Sequence, residues 1–97
     1  MNNQNLSKFL PLGSVVLLKN GKKRVMINGF CAISDEEKNS IYDYSGVLFP
    51  EGLLNSEQTL LFNHNQIIKV YHLGLIDEEQ KNFSNKLINI VNQMKNN

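Results

Sequence analysis

Two histidines, one cysteine and nine carboxylates are the side chains from which this chain would build acid–base or metal chemistry. Their spacing does not assemble any. His64 and His72 fall on different expected elements, and no carboxylate or thiol completes a set of three or four convergent ligands with them. Cys31 stands between Phe30 and Ala32. That apolar setting suits a buried, inert thiol, because a reactive one needs an accessible, electropositive site. Asp35-Glu-Glu37 and Asp77-Glu-Glu79 are runs of adjacent carboxylates, which read as solvated charge in a loop and in a first helical turn. Gly13 and Gly21 are isolated turn glycines, not a phosphate-binding loop. The expectation is no catalytic residue, no metal and no cofactor.

Composition narrows the partner classes. Ten basic and nine acidic residues in 97 leave a formal charge of +1. Phosphate neutralisation needs a clear basic excess, so neither nucleic acid nor an anionic membrane is expected as a partner. Lys22-Lys-Arg24 is too short a run to change that. No apolar run approaches the ~20 residues that cross a bilayer. The polar, uncharged Met1–Asn5 does not resemble a secretory leader, which points to the cytoplasm. A lone cysteine excludes an internal disulfide framework.

The elements follow from pattern. Residues 1–9 carry no period and read as a flexible N-terminus. Residues 10–97 read as one domain. Asn20-Gly21 lies between the β-prone runs Ser14–Lys19 and Lys22–Ile27, the signature of a two-residue type I′ hairpin. That turn sets Val16 opposite Val25 and Ser14 opposite Ile27. Phe30–Ile33 extends the second strand past a bend at Gly29. Ser34–Ser40 reads as a surface loop or short helical turn. Ile41–Phe49 is a third strand, with Gly46 marking curvature or a close backbone neighbour. Phe49-Pro-Glu-Gly52 fits a type I turn. Thr59–Phe62 and Ile68–Leu73 are further strands, separated by one helical turn capped by Asn63. Asp77 caps a helix over residues 77–95, with Phe83, Leu87, Ile90, Val91 and Met94 at helical spacing. The expected fold is α+β. It is a small, strongly bent antiparallel β-barrel or half-barrel, SH3-like with about five strands, followed by one C-terminal amphipathic helix.

Two segments suit contact with another protein. Tyr42–Gly52 packs aromatic and turn residues closely, and tyrosine is enriched at interfaces. Its candidates are Tyr42, Asp43, Tyr44, Phe49, Pro50 and Glu51. The helix, at roughly 28 Å, is long for a small barrel. It leaves part of the stripe Phe83, Leu87, Val91 and Met94 to a partner, unless it simply lies across its own barrel.

The order of several blocks resembles one family. They are Leu10-Pro-Leu-Gly13, Met26-Ile-Asn-Gly29, Tyr42-Asp-Tyr-Ser-Gly46 with Pro50-Glu-Gly52, Phe62-Asn-His-Asn-Gln-Ile67 and Asp77-Glu-Glu79. Together they resemble a small domain-of-unknown-function family of Gram-positive bacteria encoded beside LXG toxins of the type VII secretion system. The match spans roughly residues 10–80. It departs at Leu75, where the family pattern has an aromatic residue after the last glycine. The resemblance implies a cytosolic chaperone or adaptor whose partner is a secreted toxin or its targeting factors. An immunity protein that neutralises a toxin and an SH3-like nucleic-acid-binding module are the alternatives.

Overall fold

The computed structural model describes residues 9–33, 40–55 and 58–96. The expected Ser34–Ser40 turn and most of the expected flexible N-terminus lie largely outside the described residues. Five strands and one long helix follow in order: β1 Val15–Leu18, β2 Arg24–Ile33, β3 Ile41–Phe49, β4 Leu60–Phe62, β5 Ile67–His72 and α1 Glu78–Asn96. A 3-10 turn at His64–Gln66 precedes β5. The strands form one sheet in the order β4-β3-β2-β1-β5, with every neighbouring pair antiparallel. The sheet does not close, so the half-barrel of the sequence expectation is the form adopted. β4 and β5 are its edges.

The hairpin register is as expected, with Val16 opposite Val25. Its turn is not. Gly21 N–H bonds to the Leu18 carbonyl, and of the two central residues of the expected turn only Asn20 takes a positive φ, 63°. The tight turn therefore falls one residue earlier, and Lys22 and Lys23 are left outside the ladder. The Phe49–Gly52 turn also differs. Phe49–Pro50 is a cis peptide bond, Gly52 has φ of 76°, and Gly52 N–H reaches the Leu48 carbonyl at 2.7 Å. The bond spans five residues, not the four of a type I turn.

Two glycines in the sheet are required by close approach. The β2–β3 register slips between Ile27 and Gly29, and a side chain at Gly29 would meet Ser45 Oγ. Beyond this bulge Cys31 adopts φ of 54°, and its thiol is half-buried. At Gly46, a Cβ would stand 2.8 Å from both the Met26 carbonyl oxygen and Val25 Cγ1. Gly46→Ala should therefore cost about 1–3 kcal/mol through overpacking. A shift in the urea midpoint at unchanged m-value would register it.

The main core cluster forms on one face of the sheet, while Val15 and Val47 are buried on the other. In the main cluster Val16, Val25, Ile27, Tyr44 and Phe62 pack with Leu87 and Val91 of α1. Phe9 joins them at 3 % exposure, which corrects its placement in a flexible terminus. The cause is aromatic packing, since its ring meets Phe30 and Tyr44 edge-on at 5.8 and 5.6 Å. The helix starts as its sequence requires. Asp77 Oδ1 accepts the Gln80 N–H at 2.9 Å, and Glu78 and Glu79 occupy the first turn, where the helix dipole favours negative charge. Among the described residues, no helix is long and apolar enough to cross a membrane.

Candidate protein-binding surface

The Tyr42–Gly52 segment serves the interior more than the surface. Tyr44 is wholly buried. Its ring stacks on Phe62 at 5.4 Å, its partner in the β3–β4 ladder. Its hydroxyl accepts the Leu10 N–H at 2.9 Å and lies 2.8 Å from His64 Nδ1. The phenol donates its proton to Nδ1 or accepts from Nδ1–H according to the imidazole tautomer. Asp43 is also buried. Its Oδ2 accepts the His64 N–H at 2.9 Å, and its own N–H donates to Asn63 Oδ1 at 3.0 Å. Asn63 N–H in turn donates to Gln66 Oε1. The two polar blocks, Tyr42-Asp-Tyr44 and Asn63-His-Asn-Gln66, thus form one clamp that continues the three-residue β4 into the 3-10 turn. Spacing along the chain does not reveal that these blocks meet.

The partner-contact candidates sort by burial. Tyr44 and Asp43 belong to the clamp, and Tyr42 is half-buried. Leu87 and Val91 belong to the protein's own core at 5 % and 1 % exposure, so that part of the helical stripe covers the sheet. Pro50 and Glu51 are exposed and Phe49 is half-buried. Glu51 is held by Lys23 Nζ at 2.7 Å, and this hydrogen bond keeps its carboxyl below the usual range. Phe83 and Met94 remain exposed.

Phe83 stands beside a groove of about 620 Å³ between α1 and the chain around Leu12 and Leu75. Phe9, Phe30 and Leu87 contribute its buried and half-buried lining, while Leu12, Leu75 and Phe83 are its exposed apolar lining. Asp77, Glu79 and Lys86 add charge to the lining. Aromatic packing runs without a break from the core into this groove, through Phe62, Tyr44, Phe30 and Phe83. Sequence reasoning found Phe83 by its helical period but missed Leu12 and Leu75, which belong to no periodic segment. Leu75 is three-quarters exposed.

The opposite face of the sheet carries a different surface. Arg24 lies 5.0 Å from the Phe49 ring and 5.9 Å from the Tyr71 ring, and Lys69 Nζ lies 4.7 Å from Tyr71. Such contacts hold a cation by the ring's negative face. The arginine of the basic run is therefore held on the sheet.

A family model described as "Domain of unknown function (DUF4176)" matches residues 9–83, most of the chain. Its first residue is Phe9, the core aromatic, and its last is Phe83, beside the groove. No curated protein and no solved structure matches the chain.

Proposed function

We propose that this chain, which belongs to the DUF4176 family, is a non-enzymatic accessory binding protein. In this reading it is a cytosolic chaperone or adaptor for an LXG-type toxin exported by type VII secretion. The observation that supports a binding role is the groove beside Phe83. Leu12, Leu75 and Phe83 are about half exposed or more at 55 %, 75 % and 48 %, and they converge on one concavity. Clustered exposed apolar residues mark interaction sites far better than scattered ones. The class of partner comes from the resemblance of the Tyr42–Gly52 and Phe62–Ile67 blocks to a family encoded beside such toxins.

The test is co-expression with the LXG toxin of the same locus, followed by affinity purification and size-exclusion chromatography. A stoichiometric complex is expected. Leu75→Asp or Phe83→Asp should weaken it by at least about tenfold, since a charge placed in a desolvated contact costs several kcal/mol. Leu75 is three-quarters exposed, so Leu75→Asp should keep the melting temperature, while Phe83→Asp also loses ring packing on Phe30 and is compared after circular dichroism confirms its fold. Absence of a complex with the folded wild-type protein overturns the reading. Protection of recipient cells by the protein, without any effect on export, would assign the immunity role instead.

A nucleic-acid-binding module has one feature in its favour, the Arg24–Phe49–Tyr71–Lys69 set. Cations beside exposed aromatic rings are the elements of single-strand binding. That reading requires affinity for an oligonucleotide that falls with salt and is lost on Arg24→Glu.

A further inference from the structure

We infer that the groove receives an amphipathic helix of the partner, with basic residues of that helix set against Asp77 and Glu79. The inference rests on the binding role proposed above and adds the partner's chemistry. Three observations carry it. First, the apolar surface continues past the groove. At 100° per residue, Phe83, Ile90 and Met94 fall within about 40° of arc on one flank of α1, a line of roughly 16 Å. All three are exposed, at 48, 45 and 37 %, although the adjacent Leu87 and Val91 are buried. A small molecule would fill the groove and leave Ile90 and Met94 in water. A helix laid beside α1 covers the whole line with anchors at successive turns.

Second, the charge is arranged along the same flank. Glu79 falls within about 40° of Phe83, toward the start of the helix, and Lys86 within about 60°. Asp77 and Glu79 are exposed, and the only ion pair among the described residues is Lys23–Glu51. Their complement is a basic group on the incoming helix, placed where it would also fix the helix's direction. Third, the groove accepts side chains. Its volume of about 620 Å³ holds several leucine- or phenylalanine-sized groups. Its lining by Phe9, Phe30 and Leu87 belongs to the packed core or lies against it, so the groove is preformed.

Two synthetic amphipathic helices about five turns long, with the same leucine stripe, test this directly. One carries lysine at the positions flanking the stripe and the other glutamate. Binding is read by fluorescence anisotropy against the full-length protein. The lysine-flanked peptide should bind at least about tenfold more tightly at low salt, with the gap closing as salt rises. Asp77→Asn with Glu79→Gln should remove that preference, the asparagine keeping the helix cap. Ile90→Lys should weaken both peptides, with circular dichroism confirming the fold. Equal affinity for the two peptides, no binding, or indifference to Ile90→Lys overturns the inference. So does self-association that Ile90→Lys abolishes, which would make the occupant a second copy. So does saturation by a fatty acid that Ile90→Lys leaves unchanged, which would make the groove a small-molecule site. If toxin co-purifies equally with these variants while neither peptide binds, the helix is overturned and the binding role stands. If the peptide preference holds but no toxin co-purifies, the toxin assignment falls alone.

Discussion

Truncation of Tyr44 to alanine is expected to destabilise the protein by about 3–5 kcal/mol, the range for removing a fully buried aromatic ring. That is a large fraction of the ~5–15 kcal/mol that holds a small domain. The ring packs against Phe9, Phe30 and Phe62, so its loss opens a cavity bounded by several elements. Tyr44→Phe separates ring from hydroxyl. It strands the Leu10 N–H and His64 Nδ1, and should cost about 1–3 kcal/mol. Urea denaturation of the three proteins checks both figures. If Tyr44→Ala unfolds within about 1 kcal/mol of wild type, the ring is not the keystone described here.

The hydroxyl also predicts a pH dependence. Burial raises the Tyr44 pKa well above its ordinary 10.0, against the opposing hydrogen bond from Leu10. The folded state thus disfavours ionisation, and the unfolded state begins to lose this proton near pH 10. The stability tied to the neutral phenol is complete below that pH and declines above it. Tyr44→Phe lacks this contribution to the decline. The stability gap between wild type and Tyr44→Phe should therefore narrow from about pH 10 upward. A gap that stays constant to the alkaline limit would show that the phenol ionises equally easily when folded.

Gly74→Ala is the second change expected to be severe, at about 3 kcal/mol or more. A Cβ at Gly74 would overlap the Leu12 carbonyl oxygen and come within 2.9 Å of its carbonyl carbon. Both atoms are backbone, so no side-chain rotation relieves the clash. The junction cannot open cheaply. Gly74 N–H donates to Ser14 Oγ at 3.1 Å, and the Ser14 carbonyl accepts the Ile27 N–H at 2.9 Å. Ser14 is fully buried. The alanine must either separate β5 from β1 or lose the Ser14 bond. Thermal melting would detect either. Hydrogen exchange should show lost protection concentrated in β1 and β5. Unchanged protection of those strands would contradict the expected mode of failure.

Much of the fold was legible because it rests on local physics. Asn20-Gly21 announced a hairpin, and the pairing of Val16 with Val25 followed from its length. Asp77 and the period from Phe83 onward announced the helix. Gly29 and Gly46 announced the bulge and the close approach. The errors have local causes too. The Asn-Gly turn closed on Leu18, because Asn20 alone supplied the left-handed residue. Phe49–Gly52 took a different turn, with a cis bond and a five-residue span that composition does not distinguish from type I.

The candidate surface was much less legible. Period alone places Phe83, Leu87, Val91 and Met94 on one stripe, and cannot divide it. The division depends on which flank of α1 the sheet occupies, a matter of packing between residues far apart in sequence. Tyr42-Asp-Tyr44 looked like a contact surface because tyrosines often are, and its partner block lay about twenty residues downstream with no pattern linking the two.

The amino-acid sequence by itself determined the strands, the helix and its cap, because those rest on local pattern and turn chemistry. Only the tertiary structure decided where the carboxylates and histidines go. It set buried Asp43 and half-buried His64 into one clamp, where hydrogen bonds offset the desolvation of the carboxylate. It left Asp77 and Glu79 on a groove, because α1 spends Leu87 and Val91 on the core and turns Phe83, Ile90 and Met94 outward.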